Sequence, residues 1–243
     1  MTSDSGTGPP VYKRILIKLS GEALAGDKKS GIDPDILRHI TGEIRDVRNR
    51  GVQVALVIGA GNIFRGSLGE KLGLDRVTGD HMGMLATVMN SLAVQDALLK
   101  LGVPARVMTA VSMNEFAEHY SIPKAAGLLG KGNVVILACG TGHPYFTTDT
   151  AASLRAIELK CDLLMKATRV DGLYTSDPEK DPGAKKIKSS TFLDVIKDNL
   201  RVMDLTAISL CMENRMPIIV FNLFDKNSLM KVVLGDDIGT KIS

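Results

Sequence analysis

The feature that most constrains the fold is an alternation between short, continuously apolar runs and longer segments with helical periodicity. The runs lie at residues 14–19, 52–58, 105–109, 133–139, 162–167 and 217–221. Runs that are apolar at nearly every position predict strands buried on both faces. Helical segments between such strands predict parallel pairing through crossover connections. We therefore expect an α/β fold with a mostly parallel central sheet sandwiched between helices.

Capping residues mark where the predicted helices begin and end. Asp33 and Pro34 suit the N-cap and first position of a helix that ends at Gly51. A long apolar-faced helix is predicted from Met82 to Leu101. Further helices are expected from the loop after residue 140 to about 160, and at 191–200, 204–215 and 227–234.

The chain shows no internal repeat and no linker long enough to divide it. We expect a flexible tail at residues 1–10 followed by one domain, 11–243. The polar N-terminus lacks a secretory signal, and no apolar run approaches 18 residues, which predicts a cytoplasmic protein with no membrane span. The net charge of +3, with both signs interspersed, indicates no nucleic-acid partner. The three cysteines fit buried reduced thiols.

Charged residues and glycines follow four of the predicted strands. They are found at 18–22, 59–66, 140–149 and 166–172. Ligands of parallel sheets bind beyond the carboxyl ends of the strands, so these segments converge on one edge. Backbone amides at glycine-rich turns hold phosphate oxygens, and lysines stabilise transferred phosphoryl groups. The pattern predicts phosphoryl-transfer chemistry.

Two common phosphate-binding motifs and a metal site are not supported by the residues. The chain has no G-x-x-x-x-G-K-[S/T] motif. Gly59-x-Gly61 lacks the third glycine of a dinucleotide fingerprint, since residue 64 is Phe. The four histidines are scattered, with no pair at metal-ligand spacing.

Several long motifs occur in the order typical of one family. They are VYKRILIKLSGEAL (11–24), GNIFRG (61–66), GDHMGMLATVMN (79–90), GTGHPYFTTDTAA (140–152), KATRVDGLYTSDP (166–178) and VMDLTA (202–207). On these motifs the chain resembles the bacterial uridylate kinases of the amino acid kinase fold from Val11 to Ile242. The resemblance implies ATP-dependent phosphorylation of UMP to UDP in pyrimidine nucleotide biosynthesis. It also implies that residues 11–160 form mainly the acceptor side and residues 161–243 mainly the ATP side.

The resemblance implies a role for each matching residue. The residues expected to act in catalysis are Lys18 and Lys166, with Asp149 and Asp204 orienting them or binding Mg²⁺, and Arg65. Those expected to bind ATP are Lys18, Leu19, Ser20, Gly21, Gly61, Arg65, Thr168, Tyr174 and Asp177. Those expected to bind UMP are Ala60, Asp80, Thr141, Gly142, His143, Pro144, Tyr145, Phe146, Thr147 and Thr148. ATP is the co-substrate, and Mg²⁺ would need no site fixed by the protein alone.

Regulation and assembly are also implied by the resemblance. The family is activated by GTP, inhibited by UTP and assembled as a homohexamer, a trimer of dimers. Residues 26–31 occupy the segment linked with activation, and the helix from Met82 offers a dimer face. Gln95 and Leu99 stand where strongly GTP-responsive relatives tend to carry basic or His side chains, which leaves the GTP response open.

Two positions depart from the usual family pattern within the acceptor site. Ala60 replaces a commoner glycine, which alters how closely the backbone can approach the ligand. His143 replaces the usual Asn, and imidazoles change charge near neutral pH. We expect acceptor affinity to vary between about pH 6 and 8.

Two alternative functions remain open from the residues. One is a sibling kinase of the same fold that phosphorylates a carboxylate, a carbamate or an amino acid. Asp80 and the Tyr145–Phe146 pair would then have no ribose or base to contact. The other is a non-catalytic nucleotide sensor, which would be expected to lack Lys18 or Lys166; the chain has both.

Overall fold

The computed structural model describes residues 8–28, 30–64, 69, 71–176, 181, 183–200 and 202–243. Its described strands are β1 (Arg14–Leu19), β2 (Gln53–Ile58), β3 (Ala105–Thr109), β4 (Glu118–His119), β5 (Val134–Ala138), β6 (Leu163–Thr168), β7 (Leu173–Tyr174), β8 (Lys186–Ile187), β9 (Ser189–Ser190), β10 (Ile218–Asn222) and β11 (Thr240–Ile242). Its described helices are α1 (Gly21–Ala25), α2 (Pro34–Asn49), α3 (Arg76–Lys100), α4 (Ile122–Gly130), α5 (Thr148–Glu158), α6 (Phe192–Lys197), α7 (Leu205–Glu213) and α8 (Ser228–Leu234).

Within these ranges the main sheet has nine strands in the order β4-β3-β5-β2-β1-β6-β10-β11-β9. Every neighbouring pair is parallel except β10 with β11. The predicted α/β class with a mostly parallel central sheet is confirmed. β1 lies between β2 and β6, so the two halves of the chain meet at the centre of one sheet.

Two apolar cores cover the two faces of the sheet. The alternation of side chains along β1 sends Ile15, Ile17 and Leu19 into the core covered by α2, α3 and α8. Leu16 faces the opposite core, covered by α4, α5, α6 and α7. The side chain of Lys18 points to this second face, and so does that of Lys166, because the two residues are paired in register across β1 and β6.

The predicted strands agree with the structure to within one or two residues, but several other elements differ. The long helix begins at Arg76, six residues before the predicted Met82, because Asp75 caps it by accepting a hydrogen bond from Val77 N. The polar loop predicted at 171–189 contains the short hairpin of β7 and β8. Helix α4, whose Ala125 and Leu129 are buried, was not predicted.

Helix α3 is apolar along much of its length. Among the described residues it is the one helix long and apolar enough, by length and composition alone, to cross a membrane. A buried share of 39% shows that part of this window packs within the chain, as a helix covering a sheet does. Asn90, Val94 and Leu98 are fully buried on that side.

Candidate active site

The two predicted catalytic lysines lie side by side at the carboxyl edge of the sheet. Lys18 Nζ is 2.7 Å from Asp149 Oδ1, and Lys166 Nζ is 2.8 Å from Asp149 Oδ2. One carboxylate thus bridges two ammonium groups that neighbouring strands hold in register. Lys166 also donates a hydrogen bond to Val202 O, which ties it to the segment before α7. The three side chains form one compact charged cluster.

Burial shapes the protonation of this cluster. Lys18, Lys166 and Asp149 expose at most 15% of their side chains. Burial would raise the pKa of Asp149, but the charges of the two lysines outweigh it, so the pKa lies below its usual range. Burial lowers the pKa of Lys166, with Asp149 opposing the shift and Lys18 adding to it. Asp149 therefore stays ionised, while Lys166 loses its proton more readily than an ordinary lysine.

Asp149 is free to face the lysines because another residue caps its helix. The N-cap of α5 is Thr147, whose Oγ1 accepts from Asp149 N at 3.0 Å and from Thr150 N at 3.2 Å. Thr147, and not Asp149, therefore caps α5. The carboxylate of Asp149 forms ion pairs with the two lysines instead.

Asp204 anchors the start of α5 and contacts neither lysine among the described residues. Its carboxylate accepts hydrogen bonds from Thr147 Oγ1 and from Thr150 Oγ1, the latter at 2.9 Å. It also caps α7 by accepting from Ala207 N at 3.0 Å. Asp204 thus fixes the helix that carries Asp149, and the expected contact with the lysines is replaced by this indirect one.

The first two glycine-rich turns are pressed against each other. A Cβ on Gly21 would lie 2.6 Å from both Gly59 O and Gly61 N, closer than any side chain permits. Ser20 caps α1 by accepting from Glu22 N at 3.2 Å. The side chain of Leu19 is buried in the α2 core, so only its backbone faces this edge. The close approach of the two backbones thereby explains why residue 21 is glycine.

The β5 loop, residues 139–147, follows β5 and has an unusual backbone. Cys139, Gly140, Gly142 and Tyr145 all have positive φ, at 64°, 57°, 84° and 71°. Positive φ is costly for residues other than glycine, and such strain concentrates at functional sites. Asp80, on α3, holds the loop by accepting a hydrogen bond from Tyr145 N at 2.7 Å. Pro144, the fourth residue of the predicted acceptor stretch, lies within the same loop.

A cavity of about 130 Å³ lies between the β5 loop, the turn after β2 and the first turns of α3. Seven of the predicted acceptor residues line it: Ala60, Asp80, Thr141, His143, Phe146, Thr147 and Thr148. Sequence reasoning missed the α3 residues Gly79, Gly83, Met84 and Thr87, which also line it. They belong to the motif GDHMGMLATVMN. Gly83, Met84 and Thr87 follow Asp80 at helical spacing, and this spacing was the signal that could have found them.

A second cavity, of about 340 Å³, adjoins the other side of the cluster. It is lined by Asp149 and by residues of α6, α7 and their connection, including Val195, Val202 and Met203. Thr168 and Tyr174 do not line it: Thr168 Oγ1 donates to Val170 O at 2.6 Å, and Tyr174 OH donates to Asp171 Oδ1 at 2.6 Å. Two further predicted residues, Arg65 and Asp177, lie outside the described residues.

The protein oxygens at the cluster suit a cation that arrives with phosphates. Within the described ranges, no group of three or more His, Cys, Asp or Glu side chains could hold a metal. Mg²⁺ usually takes one or two carboxylates together with substrate phosphates. Asp149 Oδ1 is buried and accepts no aligned hydrogen bond within these ranges, although Lys18 neutralises it. Asp149 is therefore the carboxylate of the cluster that would meet Mg²⁺ carried with substrate phosphates.

Comparison with solved structures and family models agrees with this geometry. The chain is 40% identical to UMP kinase from Bacillus anthracis, with a TM-score of 0.93 and 96% of each chain covered. It is 36% identical to UMP kinase from Ureaplasma parvum, with a TM-score of 0.90, covering 95% of this chain and 98% of that one. For uridylate kinase from Archaeoglobus fulgidus the identity is 25% and the TM-score 0.74, with 94% and 99% covered. The model of the amino acid kinase family matches residues 13–222, and the chain belongs to that family.

Proposed function

We propose that this protein is a nucleoside monophosphate kinase that transfers the γ-phosphoryl group of ATP to UMP, giving UDP and ADP. The observation that carries the proposal is the bridged cluster of Lys18, Asp149 and Lys166, in which Asp149 directly follows Thr148, a residue that lines the cavity of the β5 loop. The similarity to UMP kinases over 95–96% of the chain supports UMP as the acceptor.

The positions of the two lysines suit a direct transfer of the phosphoryl group from ATP to UMP. An oxygen of the UMP phosphate attacks the γ-phosphorus of ATP, and the bond from that phosphorus to the bridging oxygen of ADP breaks. Such transition states spread negative charge over the transferred group, and fixed positive charges stabilise them. Lys18 and Lys166 supply these charges from adjacent strands, while Asp149 keeps both ammonium groups in place. Mg²⁺ bound with ATP would add positive charge there, with Asp149 and Asp204 as candidate protein ligands.

We assign the acceptor to the small cavity and the donor to the opposite side of the cluster. The base and ribose of UMP would meet the β5 loop and Asp80. The phosphate would lie towards Ala60, in the turn that Gly21 packs against. ATP would use Lys18, Leu19, Ser20, Gly21 and Gly61 for its phosphates, and Thr168, Tyr174, Arg65 and Asp177 remain its proposed contacts. In this proposal residues 11–160 form mainly the acceptor side and residues 161–243 mainly the ATP side, with Lys18 to Gly21 crossing to the donor.

Assembly and regulation are proposed from surface features. The exposed apolar residues Met82, Leu85 and Met89 of α3 suit a subunit contact, which supports the proposed homohexamer. For GTP activation, residues 26–28 line a cavity of about 590 Å³ together with Arg169 and Phe224. Arg169 donates a hydrogen bond to Gly26 O and lies 5.8 Å from the Phe224 ring. Inhibition by UTP, a cytoplasmic location and a role in pyrimidine nucleotide biosynthesis complete the proposal.

The test is ATP consumption with a panel of acceptors: UMP, CMP, dUMP, aspartate and glutamate. The proposal expects turnover with UMP far above that with the others. Turnover with aspartate or glutamate would assign the chain to a carboxylate-phosphorylating branch of the same fold. Nucleotide binding measured by calorimetry without turnover would make it a sensor.

A further inference from the structure

Helix α3 touches both loops of the proposed acceptor site with buried polar side chains. The β2 turn, residues 59–62, contains Gly61 and the carbonyl of Gly59, and the β5 loop begins at Cys139. Thr87 and Asn90 of α3, one turn apart, reach the β5 loop and the β2 turn respectively. Both side chains are nearly inaccessible, with Thr87 2% and Asn90 0% exposed.

Asn90 and Asn62 form a closed amide pair beneath the β2 turn. Asn90 Nδ2 donates to Asn62 Oδ1 at 2.7 Å, and Asn62 Nδ2 donates to Asn90 Oδ1 at 3.0 Å. The remaining hydrogens go to backbone: Asn90 Nδ2 donates to Gly59 O at 2.8 Å, and Asn62 Nδ2 donates to Gly31 O at 2.8 Å. Both amide groups are therefore satisfied, as a buried polar pair requires.

This amide pair sits directly against the first glycine turn. A Cβ on Gly21 would come within 2.7 Å of Asn62 Oδ1, so Asn62 and the Ser20-Gly21 turn are in tight contact. Any displacement of Asn62 must move the backbone of Gly59 or Gly21. The pair thereby sets the spacing of the two turns that we propose to hold the phosphates.

Thr87 plays the matching part for the β5 loop. Its hydroxyl accepts a hydrogen bond from Cys139 N at 2.9 Å and donates to Met84 O at 2.6 Å. Cys139 is the first of the residues with positive φ in that loop, so this contact fixes the backbone where the strained segment begins. The cavity itself is lined by Thr87, which places this anchor beside the proposed acceptor.

We propose that Thr87 and Asn90 are positioning residues that hold the β5 loop and the β2 turn at a fixed separation, one loop each, so that acceptor and donor phosphates meet. The proposal deepens the proposed kinase function and rests on it. It assigns separable effects: loss of the Thr87 hydroxyl loosens the acceptor loop, and loss of the Asn90 amide loosens the phosphate turn.

The experiment compares Thr87→Val and Asn90→Ala with two controls. Thr87→Ser keeps the hydroxyl and should restore wild-type behaviour. Ser91→Ala removes an equally buried hydroxyl of α3 that bonds only to Thr87 O within the helix, among the described contacts. We expect Thr87→Val to raise the KM for UMP about tenfold with little change in the KM for ATP, since a lost buried hydrogen bond commonly costs a factor of this size. Asn90→Ala should raise the KM for ATP and lower kcat, about tenfold each.

Amide hydrogen exchange provides a readout that needs no turnover. Thr87→Val should speed exchange at residues 139–142 and leave 59–63 unchanged, and Asn90→Ala should do the reverse. Equal effects of both variants on both loops, or failure of Thr87→Ser to restore the KM for UMP, would overturn the proposal. If Asn90→Ala does not fold, Thr87→Val and its two controls decide the question. A wild-type chain inactive with UMP but showing the exchange pattern would refute the kinase function alone.

Discussion

The lysine cluster and the β5 loop adjoin at the start of α5, where Thr147 and Asp149 are two residues apart, yet different forces fix them. Lys18 and Lys166 are placed by strand register and bridged by a buried carboxylate. The β5 loop depends on left-handed backbone at Cys139 and Tyr145, and its aromatic residues Tyr145 and Phe146 are 66% and 49% exposed. We propose that this difference separates a preformed catalytic centre from an acceptor loop that completes its contacts when UMP binds.

The largest effect on activity should come from removing a lysine of the cluster that the strands hold in place. Lys18→Ala should lower kcat about 10³- to 10⁵-fold, because a fixed positive charge at the transferred phosphoryl group is lost. The KM for UMP should change little. The measurement is steady-state UDP formation, with Lys188→Ala, an exposed lysine outside the cluster, as the control. Wild-type kcat in Lys18→Ala would show that Lys18 is not catalytic.

The second-largest effect on activity should come from neutralising Asp149, whose carboxylate bridges the two lysines. Asp149→Asn removes the negative charge between two buried ammonium groups and should lower kcat about 10²- to 10³-fold. Thermal unfolding should also occur at a lower temperature, because the lysines are left to repel each other. Asp204→Asn is the comparison: its effect should be smaller, since Asp204 acts through Thr147 and Thr150. Equal losses in both variants would contradict the special place given to Asp149.

The contact between the glycine turns gives a third test. Gly21→Ala would force a Cβ to within 2.6 Å of the β2 turn, so the KM for ATP should rise by about tenfold or more and stability should fall by about 1–3 kcal/mol. Gly42→Ala, in α2 where a Cβ meets nothing within 4 Å, should stabilise the protein instead. Denaturant unfolding and ATP kinetics of the two variants are the measurements. Two variants that behave alike would refute the close approach.

The loop side of the comparison should affect binding more than chemistry. Phe146→Ala removes a ring that lines the acceptor cavity and should raise the KM for UMP about tenfold while kcat stays within about threefold. Phe116→Ala, which truncates a ring 68% exposed and outside that cavity, is the matched control. A large fall in kcat with unchanged KM would mean that the loop takes part in the chemical step.

The smallest effect concerns pH. Because burial lowers the pKa of Lys166, its positive charge is lost at a lower pH than for an ordinary lysine. The kcat/KM for ATP should therefore decline on the alkaline side by a factor of a few. The arginine of Lys166→Arg keeps its charge at high pH, so kcat/KM for ATP should decline at a higher pH in this variant, even if its overall rate is lower. If kcat/KM for ATP declines at the same alkaline pH in Lys166→Arg as in the wild type, Lys166 is not the group responsible for the decline.

The elements that strand patterning controls could be predicted from sequence. β1 was predicted to the residue, and the convergence of Lys18, Lys166 and the 140–149 segment on one edge follows from parallel pairing. The glycines of the β5 loop were also recognised as turn residues, and Gly140 and Gly142 do have positive φ.

The features set by long-range contacts could not be predicted. Whether Asp149 or Thr147 caps α5 depends on where the lysines lie, and local sequence allows both. The Asn62–Asn90 pair joins residues 28 positions apart, and neither shows its partner in its own motif. Short elements such as α1 and the β7–β8 hairpin carry too few residues for a periodic signal.

The most direct test of the central claim, that the two lysines work as one unit, is single-turnover UDP formation in Lys18→Ala, Lys166→Ala and the double variant. Residues acting together lose most of their effect with the first removal, so the double variant should be within about tenfold of the slower single one. Losses that multiply across the two substitutions would show two independent charges and contradict the account.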